Sequence, residues 1–148
     1  MKVLVTGAAG FIGSALSIRL LNRGDCVVGI DNHNEYYDPD LKEARLNRQL
    51  NYPNYHHNRV DIEDNIALKQ IFHDNNFDAV INLAAQAGVR YSIENPMAYI
   101  NTNIVGFANI LEGCRHHNIS HLVYASSSSV YGSNTSMPFS IHDNVIIQ

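Results

Sequence analysis

Gly7, Gly10 and Gly13 stand at Gly-x-x-Gly-x-x-Gly spacing between the apolar run Val3-Leu4-Val5 and a segment in which Ile12, Ala15, Leu16 and Leu20 recur at helical intervals. Glycines on a strand-to-helix turn suit phosphate chemistry. One permits the tight turn, one lets the backbone approach a pyrophosphate, and one lets helix and strand pack closely, with the phosphates at the positive helix N-terminus. A second apolar run, Cys26 to Ile30, closes on Asp31. That position lies about 20 residues past the turn, where a carboxylate accepts hydrogen bonds from an adenosine ribose and repels a 2′-phosphate. No Arg or Lys falls between Arg23 and Lys42 to offset that charge, so the expected dinucleotide is NAD rather than NADP. A third candidate is the hydroxyl cluster Ser126 to Ser129, which follows another apolar run.

Other chemistries find less support. The chain has 148 residues, 45% hydrophobic and 16% charged, which suits one globular domain rather than disorder. Its net charge of -4 gives no general attraction for nucleic acid or an anionic membrane, and neither partner is expected. No apolar run reaches membrane-spanning length, and Met1-Lys2 leads straight into the first strand, so a cytoplasmic protein without a signal peptide is expected. Cys26 and Cys114 read as buried thiols in a reducing compartment. The pairs His56-His57 and His116-His117 raise a metal hypothesis, but adjacent side chains diverge and nothing completes a ligand set. No metal is expected.

These residues need elements to position them. A cap at Asp38 with Pro39 in the first turn predicts a helix to about Leu50. Tyr55 to Val60 predicts a third strand ending at Asp61, a helix follows around Ile62, Ile66 and Phe72, and Phe77 to Leu83 predicts a fourth strand. Asn95-Pro96 starts a helix in which Ile100, Ile104, Phe107, Leu111 and Cys114 share one expected buried face, and His121 to Ala125 gives a fifth strand. Alternating strands and helices imply a doubly wound α/β fold with a parallel sheet. Its strand ends collect Gly7, Asp31, Asp61, the segment after Leu83, and Ser126 onward on one edge.

Thr6 to Gly13, Asp61-Ile62, Leu83 to Arg90, Asn101 and Ser126 to Gly132 together resemble the extended short-chain dehydrogenase/reductase superfamily, in its sugar-nucleotide epimerase branch. Asp31-Asn32-x-Asn34-x-Tyr36-Tyr37-Asp38 with Leu41-Lys42-x-Ala44-Arg45, the Gln86 to Ser92 loop and Asn134 to Phe139 are most similar to the UDP-glucuronate 4-epimerases. The resemblance implies a Rossmann-type NAD-binding domain over residues 1–148. It assigns Gly7, Gly10, Phe11, Ile12 and Gly13 to the pyrophosphate, Asp31, Asn32 and Asn34 to the adenosine ribose, and Asp61 and Ile62 to the adenine. Leu83, Ala84, Ala85 and Asn101 would border the nicotinamide half. Ser127 takes the place of a catalytic Ser/Thr that hydrogen-bonds sugar O4. Ser128 and Ser129 would donate to a substrate carboxylate, and Gln86 and Arg90 would border the sugar of a nucleotide-sugar substrate.

The implied reaction is C4 inversion of UDP-glucuronate by transient hydride transfer to NAD, and it needs a tyrosine acidified by a lysine four residues on. The lysines here are Lys2, Lys42 and Lys69, all ahead of the serines, so that pair is missing. The resemblance places the tyrosine just after Asp143 to Gln148, and implies a chain truncated before the last strand and a C-terminal substrate domain. Such a fragment would be inactive and prone to self-association. Two alternatives stand beside it. One is a fragment of a 4,6-dehydratase or another nucleotide-sugar epimerase, although Ser128-Ser129 lacks the Asp-Glu pair of dehydratases. The other is a non-catalytic NAD-binding module.

Overall fold

Apolar residues, many of them β-branched, make the inner strands, whose side chains divide between two helical layers, whereas the edge strand from Tyr55 is mostly polar. The computed structural model describes residues 1–134 and 137–142; Asp143 to Gln148 and part of the Asn134 to Phe139 motif lie outside the described residues. The strands are β1 (Lys2–Thr6), β2 (Cys26–Asp31), β3 (Tyr55–Arg59), β4 (Ala79–Asn82) and β5 (Leu122–Tyr124). They form one parallel sheet in the order β3-β2-β1-β4-β5. Leu4, Val28, Ile30 and Val80 pack on one face with Leu68 and Phe72 of helix α3 (Asn65–Asp74). Val3, Val5 and Val27 pack on the other with Leu20 and Leu21 of helix α1 (Phe11–Asn22) and Leu46 of helix α2 (Pro39–Leu50). Helices lie on both faces, as a doubly wound Rossmann-type sheet requires, while Val123 and Tyr124 of the edge strand β5 stay exposed.

The β1–β2 register pairs Thr6 with Ile30, and the β1–β4 register pairs Thr6 with Asn82. The carboxyl ends therefore finish nearly level, and the loops that follow them share one edge. Asp38 accepts a hydrogen bond from the Asp40 amide at the start of α2, and Asp64 accepts from the Ile66 and Ala67 amides at the start of α3.

After β4 a short helix, α4 (Tyr91–Glu94), precedes the helix expected from Asn95-Pro96, which runs on without a break as α5 (Pro96–Tyr99), a π-helical stretch Ile100–Gly106 and α6 (Phe107–His116). Asn95 does cap, accepting from the Ala98 amide at 3.3 Å. The wider π turn changes which residues face the sheet. Gly106, Ile110 and Cys114 are buried, whereas Ile100, Ile104 and Leu111 of the expected buried stripe are exposed. Close approach explains the glycine: a Cβ at position 106 would sit 2.6 Å from Cγ1 of Ile62. Cys114 is buried, which raises its thiol pKa, but Cys26 is only half-buried.

Candidate functional site

The glycine turn is built from backbone contacts that leave no room for side chains. The Ala8 amide donates to Ile30 O at 3.1 Å, and the Gly10 amide donates to Gly7 O at 2.9 Å. Gly7 has φ +68, and a Cβ there would lie 2.9 Å from the Ala84 amide nitrogen. A Cβ on Gly13 would overlap the Gly7 carbonyl oxygen. Gln49, fully buried on α2, steadies the turn by donating from Nε2 to Ala8 O at 2.9 Å. Helix α1 has Gly10 at its cap position and no side-chain cap, in contrast to α2 and α3. Its first amides, at Phe11, Ile12 and Gly13, thus keep their donor capacity beside the cleft.

That turn opens into a cleft of about 300 Å³ lined by Gly7, Gly10, Phe11, Ile12, Gly13, Asp31, Asn32, Asn34, Asp61, Ile62, Leu83, Ala84, Ala85 and Gln86. Asp31, 7% exposed, accepts from the Ala9 amide through Oδ2 at 3.1 Å and from the His33 amide through Oδ1 at 2.9 Å. Asn32 donates to Asp61 Oδ2 at 2.8 Å, tying the ends of β2 and β3 together. Each carboxylate oxygen has two lone pairs, so both acidic groups keep capacity to accept from a ligand.

Lys42, which the family motif contains without assigning it a role, lines the same cleft and is 6% exposed. Its ammonium donates to Asn34 Oδ1 at 3.0 Å and lies 3.5 Å from Asp31 Oδ1. The carboxylate is therefore partly balanced by the residue that bounded the cation-free stretch of sequence. Beneath this corner His33 and His57 meet through their Nε2 atoms at 2.8 Å, and His57 Nδ1 is 2.9 Å from the Tyr55 hydroxyl. Burial first, and the neighbouring His33 second, push His57 down to about 4, against an opposing pull from Asp31. Burial also raises the Tyr55 phenol above its ordinary range.

Across the cleft, Thr6 fixes the loop after β4. Its hydroxyl donates to Asn82 Oδ1 at 2.8 Å and accepts from the Leu83 and Ala84 amides at 3.1 and 2.9 Å. Farther along, Asn103 accepts from the Gln86 amide at 2.8 Å and donates to the Gln86 carbonyl at 3.0 Å. Thr6 opens the Thr6 to Gly13 motif without a role of its own in sequence, and the adjacency of β1 and β4 gives it one.

Not every expected residue joins this cleft. Ala125 lines it, but Ser127, Ser128 and Ser129 are exposed and outside its lining. Ser127 Oγ donates to Ser129 Oγ at 3.1 Å and accepts from the Ser129 amide at 3.2 Å, capping a 3₁₀ turn over Ser128–Tyr131. Arg90 is exposed at the start of α4. Asn101 also lies outside the lining, which its neighbour Thr102 joins instead. Among the described residues there is no cluster of three or more His, Cys, Asp or Glu able to hold a metal ion. No helix among them is long and apolar enough to cross a membrane.

A parallel sheet, a glycine turn at its carboxyl edge and an acidic group beyond the second strand define a nucleotide-binding α/β domain. The chain belongs to the family described as GDP-mannose 4,6 dehydratase, whose model matches residues 4–145. Protein CapI of Staphylococcus aureus is 56% identical over 145 residues, which are 98% of this chain and 43% of that protein. UDP-glucuronate 4-epimerase 3 of Arabidopsis thaliana is 52% identical over 143 residues, 96% of this chain and 33% of that protein. The chain thus spans less than half the length of these relatives. Among solved structures, UDP-glucuronic acid 4-epimerase from Bacillus cereus in complex with UDP-glucuronic acid and NAD is similar. It is 37% identical with a TM-score of 0.83, over 92% of this chain and 43% of that one.

Proposed function

We propose that these residues form the NAD-binding part of a UDP-glucuronate 4-epimerase-like enzyme. The observation that carries the proposal is the uncapped N-terminus of α1 opening beside Asp31 in one cleft. The donor set fits a dinucleotide. Amides at Phe11 to Gly13 suit a pyrophosphate, the Asp31 carboxylate with the Asn34 amide suits ribose hydroxyls, and Asp61 with Ile62 flanks the adenine. Leu83 to Ala85, held by Thr6, would border the nicotinamide, with Asn101 beside them. When bound, NAD would supply a reversible acceptor for the hydride at sugar C4.

Ser127 would hydrogen-bond sugar O4 after giving up its bond to Ser129, and Ser128 and Ser129 would meet the sugar carboxylate. Gln86 and Arg90 would border the sugar. The 148 residues hold no tyrosine with a lysine four places on, so we expect no turnover from them alone. General-base assistance is worth about two to four decades in rate. A dehydratase reading has the matching family's description in its favour, but Ser128-Ser129 offers no acid/base pair for water elimination.

Self-association belongs to the same proposal. Ile104 on the π-helical stretch, together with Val123 and Tyr124 of β5, exposes apolar surface that a second copy would cover. Equilibrium dialysis against NAD, with an assay for UDP-galacturonate formation, tests the functional reading. Saturable NAD binding without turnover is expected. No binding by folded protein would refute the cofactor assignment, and sustained turnover lost on Ser127→Ala would refute the inactivity.

A further inference from the structure

Tyr36 and Tyr37 line the cleft, yet none of the roles above uses them. Tyr36 sits on the segment after β2, and its ring lies 4.8 Å from Tyr37 and 5.0 Å from Tyr91 of α4. Tyr91 in turn is 6.3 Å from Tyr99 of α5. Four phenol rings therefore run from the cofactor side of the cleft to the helices that follow the Gln86 to Arg90 loop. Ring pairs at such separations attract beyond their area burial, and each carries little conformational freedom to lose.

The contact at the loop itself is specific. Gly88 has φ +98, and a Cβ on it would overlap the Tyr36 hydroxyl oxygen. Glycine at 88 thus serves both a left-handed backbone and the seating of Tyr36. Besides the Gln86 Nε2 bond to Ala87 O, the loop is held by residues after it. Tyr99 donates to Ala87 O at 2.8 Å and also reaches Gly88 O, Ser92 Oγ donates to Val89 O at 2.6 Å, and Asn103 brackets Gln86. Tyr36 reaches this loop from across the cleft. Beyond Gly88 the loop stands in solvent, with Val89 85% exposed.

We propose that Tyr36 is a positioning residue that couples the two walls of the cleft, so that a bound dinucleotide holds the Gln86 to Arg90 loop in place for the sugar nucleotide. The inference rests on the dinucleotide reading above. A ligand against Asn34 and Tyr37 limits the motion of the segment after β2; Tyr36 passes that restraint to Gly88, and the loop opens less often. Binding energy at one subsite thereby lowers the ordering cost at the other.

Hydrogen exchange at the amides of residues 87–90, with and without saturating NAD, tests this, with calorimetry run beside it to establish binding. In the unmodified chain NAD should slow that exchange by about tenfold or more. Tyr36→Ala should abolish the slowing even when NAD saturates, whereas Tyr36→Phe should retain it, because the ring contacts persist without the hydroxyl. Gly88→Ala displaces the phenol from outside the cleft lining and should also abolish it, which keeps the test open if Tyr36→Ala does not fold. Equal slowing in the unmodified chain and in either uncoupled variant would overturn the inference. So would NAD binding that leaves the loop's exchange unchanged. A flat calorimetric titration is a separate result, which would remove the dinucleotide reading and the inference with it.

Discussion

Replacing His57 by glutamine should remove most of the acid sensitivity that this corner of the sheet confers on folding. The ring is held between the Tyr55 hydroxyl and His33, and burial keeps it neutral down to about pH 4, against 6.5 when unfolded. Between those values the unfolded chain binds the additional proton, so stability falls as pH falls. The contribution is complete above 6.5 and gone once pH has dropped below about 4. At about 1.4 kcal/mol per pH unit the ceiling is about 3 kcal/mol, and solvent access to the partly buried ring lowers the expected loss to about 1–2 kcal/mol. Asp25, Asp74 and Glu112 are lowered by their hydrogen-bonding partners and weaken the fold only at the acid end, in parent and variant alike. Urea unfolding of both proteins from about pH 7.5 to about pH 4.5 isolates the histidine as the difference in slope. Parallel slopes in the two proteins would refute the assignment.

Gly13→Ala should cost about 3 kcal/mol and abolish NAD binding, because the new Cβ meets backbone that cannot swing aside; thermal melts and dialysis check it. Thr6→Val keeps the shape but strands the Leu83 and Ala84 amides and Asn82 Oδ1, so a loss of about 2–4 kcal/mol with weaker NAD affinity is expected from urea midpoints and calorimetry. Sedimentation should show mass rising with concentration, and Ile104→Lys should reduce it; a stable monomer throughout would count against self-association.

How much of this was legible in sequence follows from distance along the chain. The glycine turn and Asp31 are short-range patterns, set by one strand-turn-helix unit and the end of the next strand, and both line the cleft. The end-on alignment of the strands is legible for the same reason where a strand carries its own apolar run, as β1, β2 and β4 do; β3, with the sequence Tyr-His-His-Asn-Arg, does not. Lys42 belongs to the family motif, but its place beside Asp31 depends on how α2 returns to the sheet, which no spacing rule encodes. The stripe from Ile100 to Cys114 follows a 3.6-residue period that the π-helical stretch does not keep, so Ile100, Ile104 and Leu111 face solvent while Cys114 is buried. Gly106 against Ile62, a contact between distant segments, is what holds that backbone close. The serines were recognisable as a cluster, but their strand end delivers only Ala125 to the cleft lining. Tyr36 and Tyr37 are adjacent tyrosines with no assigned role in sequence, and only the fold brings Tyr91 of α4 against Tyr36.

Isothermal calorimetry of the chain with NAD and with NADP, repeated on Asp31→Asn, tests the central claim most directly. Asp31 faces the cleft with capacity left to accept from ribose hydroxyls, and its charge opposes a 2′-phosphate even with Lys42 at 3.5 Å. NAD should bind more tightly than NADP, and Asp31→Asn should narrow the difference. Equal or tighter binding of NADP by the unmodified chain would contradict the account.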